Sequence, residues 1–594
     1  MERIATCHIS VTETGGNHRL WRGIRSALAR SVTSSTETVR LQCVLVTLVV
    51  LAVMVALFVF RHFDDNRLVS WQWVYGSHDL WWPLLALILA LPFAYLLASV
   101  SWTGRGTPAI LGITAFAASV LSWSAPETIV DAARYFVQAK FLEQHGFVAF
   151  LAQWGHEIPA WTDLPLIPFL YGVAFSVVGE TRIAIQGVTA LLFAGTVMLT
   201  FRIGATLWDR AIGATAAVLL LAMPYLWTQL PLTLVDVPTM FFFTLAVAVL
   251  IAALEHGGLA LLAAAILALA AALLTKYSAW LVLAVLPGLL LHRARSGAPL
   301  ELARISIVAL GALMLVGGFL AWKADVVTGQ LALLWSYQIP ALGRWEESLA
   351  STFLFQIHPF ISVAALAAVA IAITRRDTRL LIPGLLVLTV LALEIKRARY
   401  VIIILPMLAL MAAYGLGILR ETMTRRFVAA GAVAASLIVA VGGYLPFLHS
   451  TSAVNLAHAG TVLDTVAAES LEVVVLPSLR SAVNPAISVP LLDLYTHKRL
   501  VYRSDLSQLP RPNTAGLAMS PVRFTWEVPV AAFHAMTPHN VTHDIPVAVI
   551  ISAPDQPLPW AVAQRLTGYR LAGEFLGADK VFHHQTLVRI YVPA

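Results

Sequence analysis

The feature that most constrains this chain is its succession of long apolar runs. A helix needs about 20 apolar residues to cross a bilayer. Runs of that order recur at 43–60, 81–102, 107–124, 183–201, 211–228, 237–255, 259–275, 277–291, 303–323, 353–373, 380–395, 400–419 and 427–448. The expectation is an all-α polytopic membrane protein of about thirteen transmembrane helices. Composition closes off the other classes. Only 12% of the 594 residues are charged and 59% are hydrophobic, roughly half the charge of a soluble domain. Disordered, collagen-like and nucleic-acid-binding chains are thereby excluded. Two cysteines, Cys7 and Cys43, are too few for a disulfide framework, so packing and lipid must hold the chain together.

The net charge of +7 acquires meaning from where the cations sit. A polar arm, 1–42, carries Arg3, Arg19, Arg22, Arg25, Arg30 and Arg40 ahead of the first run, which reads as an uncleaved span. If this arm is cytoplasmic, the inside loops contain Arg105, then Arg202 and Arg210, then Arg293 and Arg295. Arg375, Arg376 and Arg379 follow, then Arg420, Arg425 and Arg426. That bias follows the positive-inside rule. An odd number of spans within 43–448 then places 449–594 outside the cell, in a plasma (inner) membrane protein. The segment 125–182 is a long outside loop whose apolar stretch, Leu164 to Val178, reads as interfacial helix. A full crossing there would reverse the later loops. Beyond 449, β-rich runs at 471–476, 547–552 and 587–592, with a helix around 560–566, suggest a small α/β extracytoplasmic domain.

Charges at a membrane boundary are costly unless used. In Pro126–Phe136, helical spacing puts Glu127, Asp131 and Tyr135 on one face. Asp131 there is suited to act as a general base or to orient a hydroxyl; the competing reading is that the acids favour a helix N-terminus. Asp236, entering the next apolar run, is either a second functional carboxylate or an N-cap. Lys276, Lys396, Arg397 and Arg399 break the charge bias at the outer face and call for an anionic partner such as a lipid phosphate; snorkelling is the alternative. His156 and Glu157 could join an aspartate around a divalent cation, but without a third ligand at recognisable spacing a solvated loop pair is the better reading of them. Asp163 and Tyr400 complete the expected substrate cavity. No cofactor is required by these residues, and a metal site stays undetermined.

The order of these elements carries a resemblance. Asp131 and Tyr135 are followed by Gly146, by the proline-bearing stretch Asp163–Tyr171, and by Gly179-Glu180 with Arg182 beyond. Then come Phe201-Arg202 to Arg210, Asp236, Leu274-Thr275-Lys276-Tyr277 and Lys396–Val401. This order resembles the GT-C superfamily of integral membrane glycosyltransferases, in particular the protein O-mannosyltransferase and aminoarabinose transferase branches, over roughly 107–420. The resemblance implies inverting transfer of a sugar from a polyprenyl-phosphate donor to a protein, lipid or glycan acceptor on the outer face. Asp131 and Asp236 would be the catalytic carboxylates, and Lys276 and Arg399 the phosphate ligands. A transporter or lipid flippase using the same charges, and a catalytically degenerate relative, are the alternatives.

Overall fold

The computed structural model describes residues 17–594 apart from 129, 297–300, 342–346, 394–396, 452, 479–481, 508, 510–516, 528–533, 535–544 and 579–584; for 17–36, 296, 301 and 341 it describes the backbone alone. Lys396 and tail residues His539, His543, His583 and His584 therefore lie outside the described residues, as do all the arginine side chains of the N-terminal arm except Arg40.

Among the described residues helix accounts for most of each of the thirteen apolar runs, but the helices are not equal in length. Eight helices among the described residues are long and apolar enough to cross a membrane, or nine if the bent pair Leu349–Ile357 and Pro359–Arg375 is one broken span. Four of the runs form shorter helices: Thr107–Val120, Arg210–Leu221, Leu259–Leu273 and Thr378–Ala392. At 1.5 Å per residue, 12 to 15 residues reach roughly 18–23 Å, short of the ~30 Å hydrocarbon core. The expectation of about thirteen full spans is corrected accordingly. Run length overcounts because it passes through breaks: the 211–228 run turns at Ala222 before a new helix begins at Pro224.

The loop 125–182 holds a helix, Asp131–Gln153, broken internally at Gly146 (φ 81°), and the 13-residue helix Leu166–Val178. Gly146 and Gly172 act differently. The first supplies a left-handed backbone that L side chains rarely adopt. The second permits close approach: a Cβ there would stand 2.7 Å from the Ala139 carbonyl oxygen and 2.7 Å from the Leu142 Cβ, so the two helices pack backbone against side chain.

The tail is built on a mixed five-stranded sheet. Its strands are β1 (Ser470–Val475), β2 (Arg499–Tyr502), β3 (Val547–Ile551), β4 (Tyr569–Ala578) and β5 (Gln585–Pro593), in spatial order β2-β1-β3-β5-β4. β1 pairs in parallel with β2 and β3, and β5 pairs antiparallel with β3 and β4. Alternation with period two gives each face its own core. One face, with Leu471, Val473, Ala548 and Ile590, packs on the helices Val454–Asp464 and Ser488–Asp493, and also on Ala132 and Ala133 of the 125–182 loop. The other, with Val474, Val549 and Leu587, packs on Val562 of the helix Trp560–Arg565. The tail sheet is thus joined through one apolar cluster to the helix that begins at Asp131.

Candidate functional site

Asp131 and Asp236 are each the first residue of a helix, and neither helix has a side-chain cap. A carboxylate there is favoured by the unpaired N–H groups and the positive end of the helix dipole. Pro238 is tolerated because first-turn amides have no intrahelical acceptor. Asp236 does not cap its own helix. It is buried, and its oxygens accept from two cations: Lys276 Nζ at 2.8 Å on Oδ1, and Arg399 Nε on Oδ2.

Arg399 joins the two helix ends. Its Nη1 donates to Asp131 Oδ2 while its Nε donates to Asp236 Oδ2. A planar fork suits this double contact, and an ammonium would not. Side-chain exposures of 4% for Arg399, 14% for Asp131 and 2% for Asp236 leave Asp131 the most open member. Burial acts to raise the Asp131 carboxyl, but the neighbouring Arg399 and Arg134 guanidinium groups outweigh it and hold it well below the usual carboxylate range.

Lys276 is placed by its backbone. It lies extended (φ −165°, ψ 146°) between the helix Leu259–Leu273 and the 3-10 turn Tyr277–Ala284. There it forms an antiparallel bridge with Asp163, and Leu166 N donates to Leu274 O at 3.2 Å. Its Nζ also stands 4.9 Å from the Tyr400 ring centroid. The loop at 163–166 and the loop at 274–276 are therefore knitted together.

Arg134, one turn after Asp131, connects Asp163 to the same group. Its Nη2 donates to Asp163 Oδ1 at 3.0 Å and to the Tyr135 hydroxyl at 3.2 Å, and lies 3.9 Å from Asp131 Oδ1. Gln138 Nε2 donates to Asp163 Oδ2 at 3.3 Å. Burial raises the Asp163 carboxyl, with Arg134 opposing, so the two carboxyls flanking Arg134 are shifted in opposite senses. The Phe524 ring, from the tail, lies 5.0 Å from the Arg134 guanidinium carbon.

Of the residues expected from the sequence, Asp131, Asp236, Lys276, Arg399, Tyr400, Asp163 and Tyr135 meet in this cluster. Glu127 takes another place. It is fully buried and accepts from Arg182 Nε at 2.8 Å, from Thr233 N at 3.0 Å on both oxygens and from Thr233 Oγ1 at 2.9 Å. It anchors the 230–235 loop that leads into Asp236. Arg397 is buried beside Glu347, whose carboxylate accepts from Ala398 N at 2.7 Å and Arg67 N at 3.0 Å. His156 and Glu157 are exposed; His156 Nε2 lies 3.4 Å from Asp325 Oδ2, and among the described residues neither is hydrogen-bonded or ion-paired to Asp131 or Asp236. Sequence reading missed Arg134, Gln138, Thr233 and Glu347. Arg134 had a signal: it is another cation in the segments where the expected charge bias leaves cations sparse, the same exception that singled out Lys276.

A divalent cation fits this donor set poorly. The Arg399 guanidinium occupies the space between the Asp131 and Asp236 carboxylates. Among the described residues, no three His, Cys, Asp or Glu side chains converge.

No protein-family description and no curated protein matches this chain. Solved structures do. ArnT from Cupriavidus metallidurans bound to undecaprenyl phosphate superimposes with a TM-score of 0.50 at 13% identity, over 82% of this chain and 98% of that one. Its apo state gives 0.48 at 12% identity, over 80% and 97%. The archaeal oligosaccharyltransferase AglB from Archaeoglobus fulgidus, in complex with an inhibitory peptide and a dolichol-phosphate, gives 0.44 at 10% identity, over 80% and 70%. The likeness is one of fold.

Proposed function

We propose that this protein is an inverting membrane glycosyltransferase that moves a sugar from a polyprenyl-phosphate-linked donor to a hydroxyl of a protein, lipid or glycan acceptor. The observation that carries the reading is the Asp131–Arg399–Asp236–Lys276 chain of contacts, which sets a partly open carboxylate beside a buried arginine and a partly exposed lysine. The ligand bound to the similarly folded ArnT, undecaprenyl phosphate, is a phosphate of the class those cations suit. The cluster faces the outer side of the membrane in this reading, with the arm 1–42 and the arginine-rich loops inside. Residues 43–448 form the membrane domain and 449–594 cover the site from outside.

The chemistry follows from charge. As the bond from the anomeric carbon to the phosphate oxygen breaks, negative charge grows on the departing phosphate, where Arg399 and Lys276 stabilise it. The acceptor oxygen forms the new bond on the opposite face, and its proton passes to Asp131. In the resting arrangement Asp131 is a weak base because Arg399 neutralises it. A phosphate that draws Arg399 towards itself raises the basicity of Asp131 as the donor seats. The two events are then coupled through one guanidinium.

The test uses the purified full-length protein with a polyprenyl-phosphate-linked sugar and a candidate acceptor. Release of polyprenyl phosphate together with glycosylated acceptor is expected. Asp131→Asn should leave the protein folded and lower turnover by about 10²–10⁴-fold. Donor movement across a vesicle without bond cleavage would identify a transporter instead, and undiminished turnover by the Asn variant would remove Asp131 from the mechanism.

A further inference from the structure

A second charged cavity lies at the end of the helical bundle remote from Asp131. The helix Arg182–Leu207 marks the distance: Arg182 at its start binds Glu127, while Leu207 at its end accepts from Arg379 Nη1 at 2.9 Å. Its 26 residues span roughly 39 Å. At that far end, Trp208, His292, Arg375, Arg376, Arg379 and Tyr414 line an open cavity of about 510 Å³, with Asp209 and Asp377 also in its wall. That volume falls within the ~300–1,000 Å³ of ordinary ligand pockets.

The wall is built around one fixed salt bridge. Asp377 accepts from Arg379 Nε at 2.8 Å and Nη2 at 2.7 Å, and from Trp208 Nε1 at 3.2 Å. His292 Nδ1 lies 2.8 Å from Thr378 Oγ1. Asp209 is committed to capping its own helix through Ile212 N at 2.8 Å. Both carboxylates are therefore spoken for. Arg375 and Arg376 are exposed and make no ion pair among the described residues; Arg376 stands in the left-handed region at φ 53°, where the chain turns sharply after Pro359–Arg375. Loop arginines that serve only to set topology need no cavity. These two flank one, beside an indole and a histidine, where candidate spans end.

We propose that this cavity binds a phosphate-bearing anion. Paired guanidinium groups offer the fork geometry that phosphate oxygens accept, and the boundary position supplies two sources of the same chemistry: the headgroup of an anionic phospholipid or a soluble phosphate. The site is independent of the transfer reaction proposed above.

The experiment is thermal unfolding of the delipidated full-length protein in detergent. Phosphatidylglycerol, phosphatidylcholine and inorganic phosphate are added separately to the native protein, to Arg375→Gln/Arg376→Gln, and to Arg105→Gln/Arg202→Gln. The last pair changes two exposed arginines outside the cavity. Phosphatidylglycerol should raise the melting temperature of the native protein and of the Arg105/Arg202 variant, with most of the shift lost in the Arg375/Arg376 variant. If inorganic phosphate reproduces the shift, the ligand is a soluble phosphate; if only the anionic lipid does, it is a headgroup. No shift in the native protein, or an equal shift in both double variants, or an equal loss from both, overturns the proposal.

Discussion

At the residue scale, one side chain organises the candidate site. Arg399 holds two carboxylates that belong to helices 105 positions apart in sequence, and does so while almost wholly buried. A buried charge deprived of its partner costs roughly 3–5 kcal/mol, so Arg399→Met should lower unfolding stability by about that amount. Arg399→Lys keeps the charge but loses the fork; it should destabilise less than Met and still lose at least about tenfold in turnover, because a point charge cannot bridge Asp131 and Asp236. The acid limb of the stability profile provides a separate check. Asp131 titrates lower in the folded chain than in the unfolded one, where its ordinary pKa is about 3.9. Its contribution to stability is therefore complete above that value and is lost as pH falls below it. Between pH 7 and pH 5 the Asp131→Asn penalty should be constant in a chemical-denaturation series, and it should shrink towards pH 3.

At the element scale, two short segments set the geometry. The first is the contact of Leu166–Val178 against Asp131–Gln153 at Gly172, where no Cβ fits without movement. Gly172→Val should cost about 1–3 kcal/mol by overpacking and reduce turnover further than that loss of stability explains, since it displaces the helix that begins at Asp131. The second is the loop between the first two spans. There the buried Asp64 carboxylate accepts from Trp71 N at 2.7 Å, Gln356 Nε2 at 2.8 Å and Ser351 Oγ at 2.8 Å, tying the loop to the helix break at 349–358. Burial outweighs these donors and raises its pKa to about 6. The sign is opposite to that of Asp131. Above about 6 the folded chain must keep a buried charge, and the penalty is relieved as pH falls towards the unfolded value near 3.9. Gln356→Leu removes one donor to the charged form, so its destabilisation should be greater at pH 7.5 than at pH 5 in matched melting curves.

For the whole molecule, the tail is part of the site and not an appendage. Lys140, two turns along from Asp131, donates to Glu180 at 2.7 Å and to Asp493 of the tail at 2.6 Å. His534 Nε2 lies 2.6 Å from the same Asp493 oxygen. Glu127 N donates to the Tyr495 hydroxyl at 2.6 Å, and the Tyr495 ring lies 5.5 Å from the Arg182 guanidinium carbon. Asp493→Ala removes the buried acceptor shared by Lys140 and His534 and leaves Lys140 with Glu180 alone. It should lower stability by roughly 3–5 kcal/mol and expose the 449–594 segment to limited proteolysis, while leaving the membrane-embedded fragment intact on a gel.

The membrane class, the thirteen apolar, mostly helical runs and three of the five strands were legible because hydropathy and alternation are local properties that a window of sequence contains in full. Asp131, Asp236, Lys276 and Arg399 were legible as exceptions, since charge at an apolar boundary is conspicuous wherever the chain goes. How many runs are long enough to cross was not, because a helix ends at a turn that hydropathy does not register. Nor was the division of labour among the acids. Glu127 and Asp131 look alike in sequence, yet one is consumed by Arg182 and Thr233 and the other stays partly open. That difference arises from which loops pack beside each carboxylate. It belongs to contacts between residues distant in the chain, and only the folded arrangement of the helices could decide it.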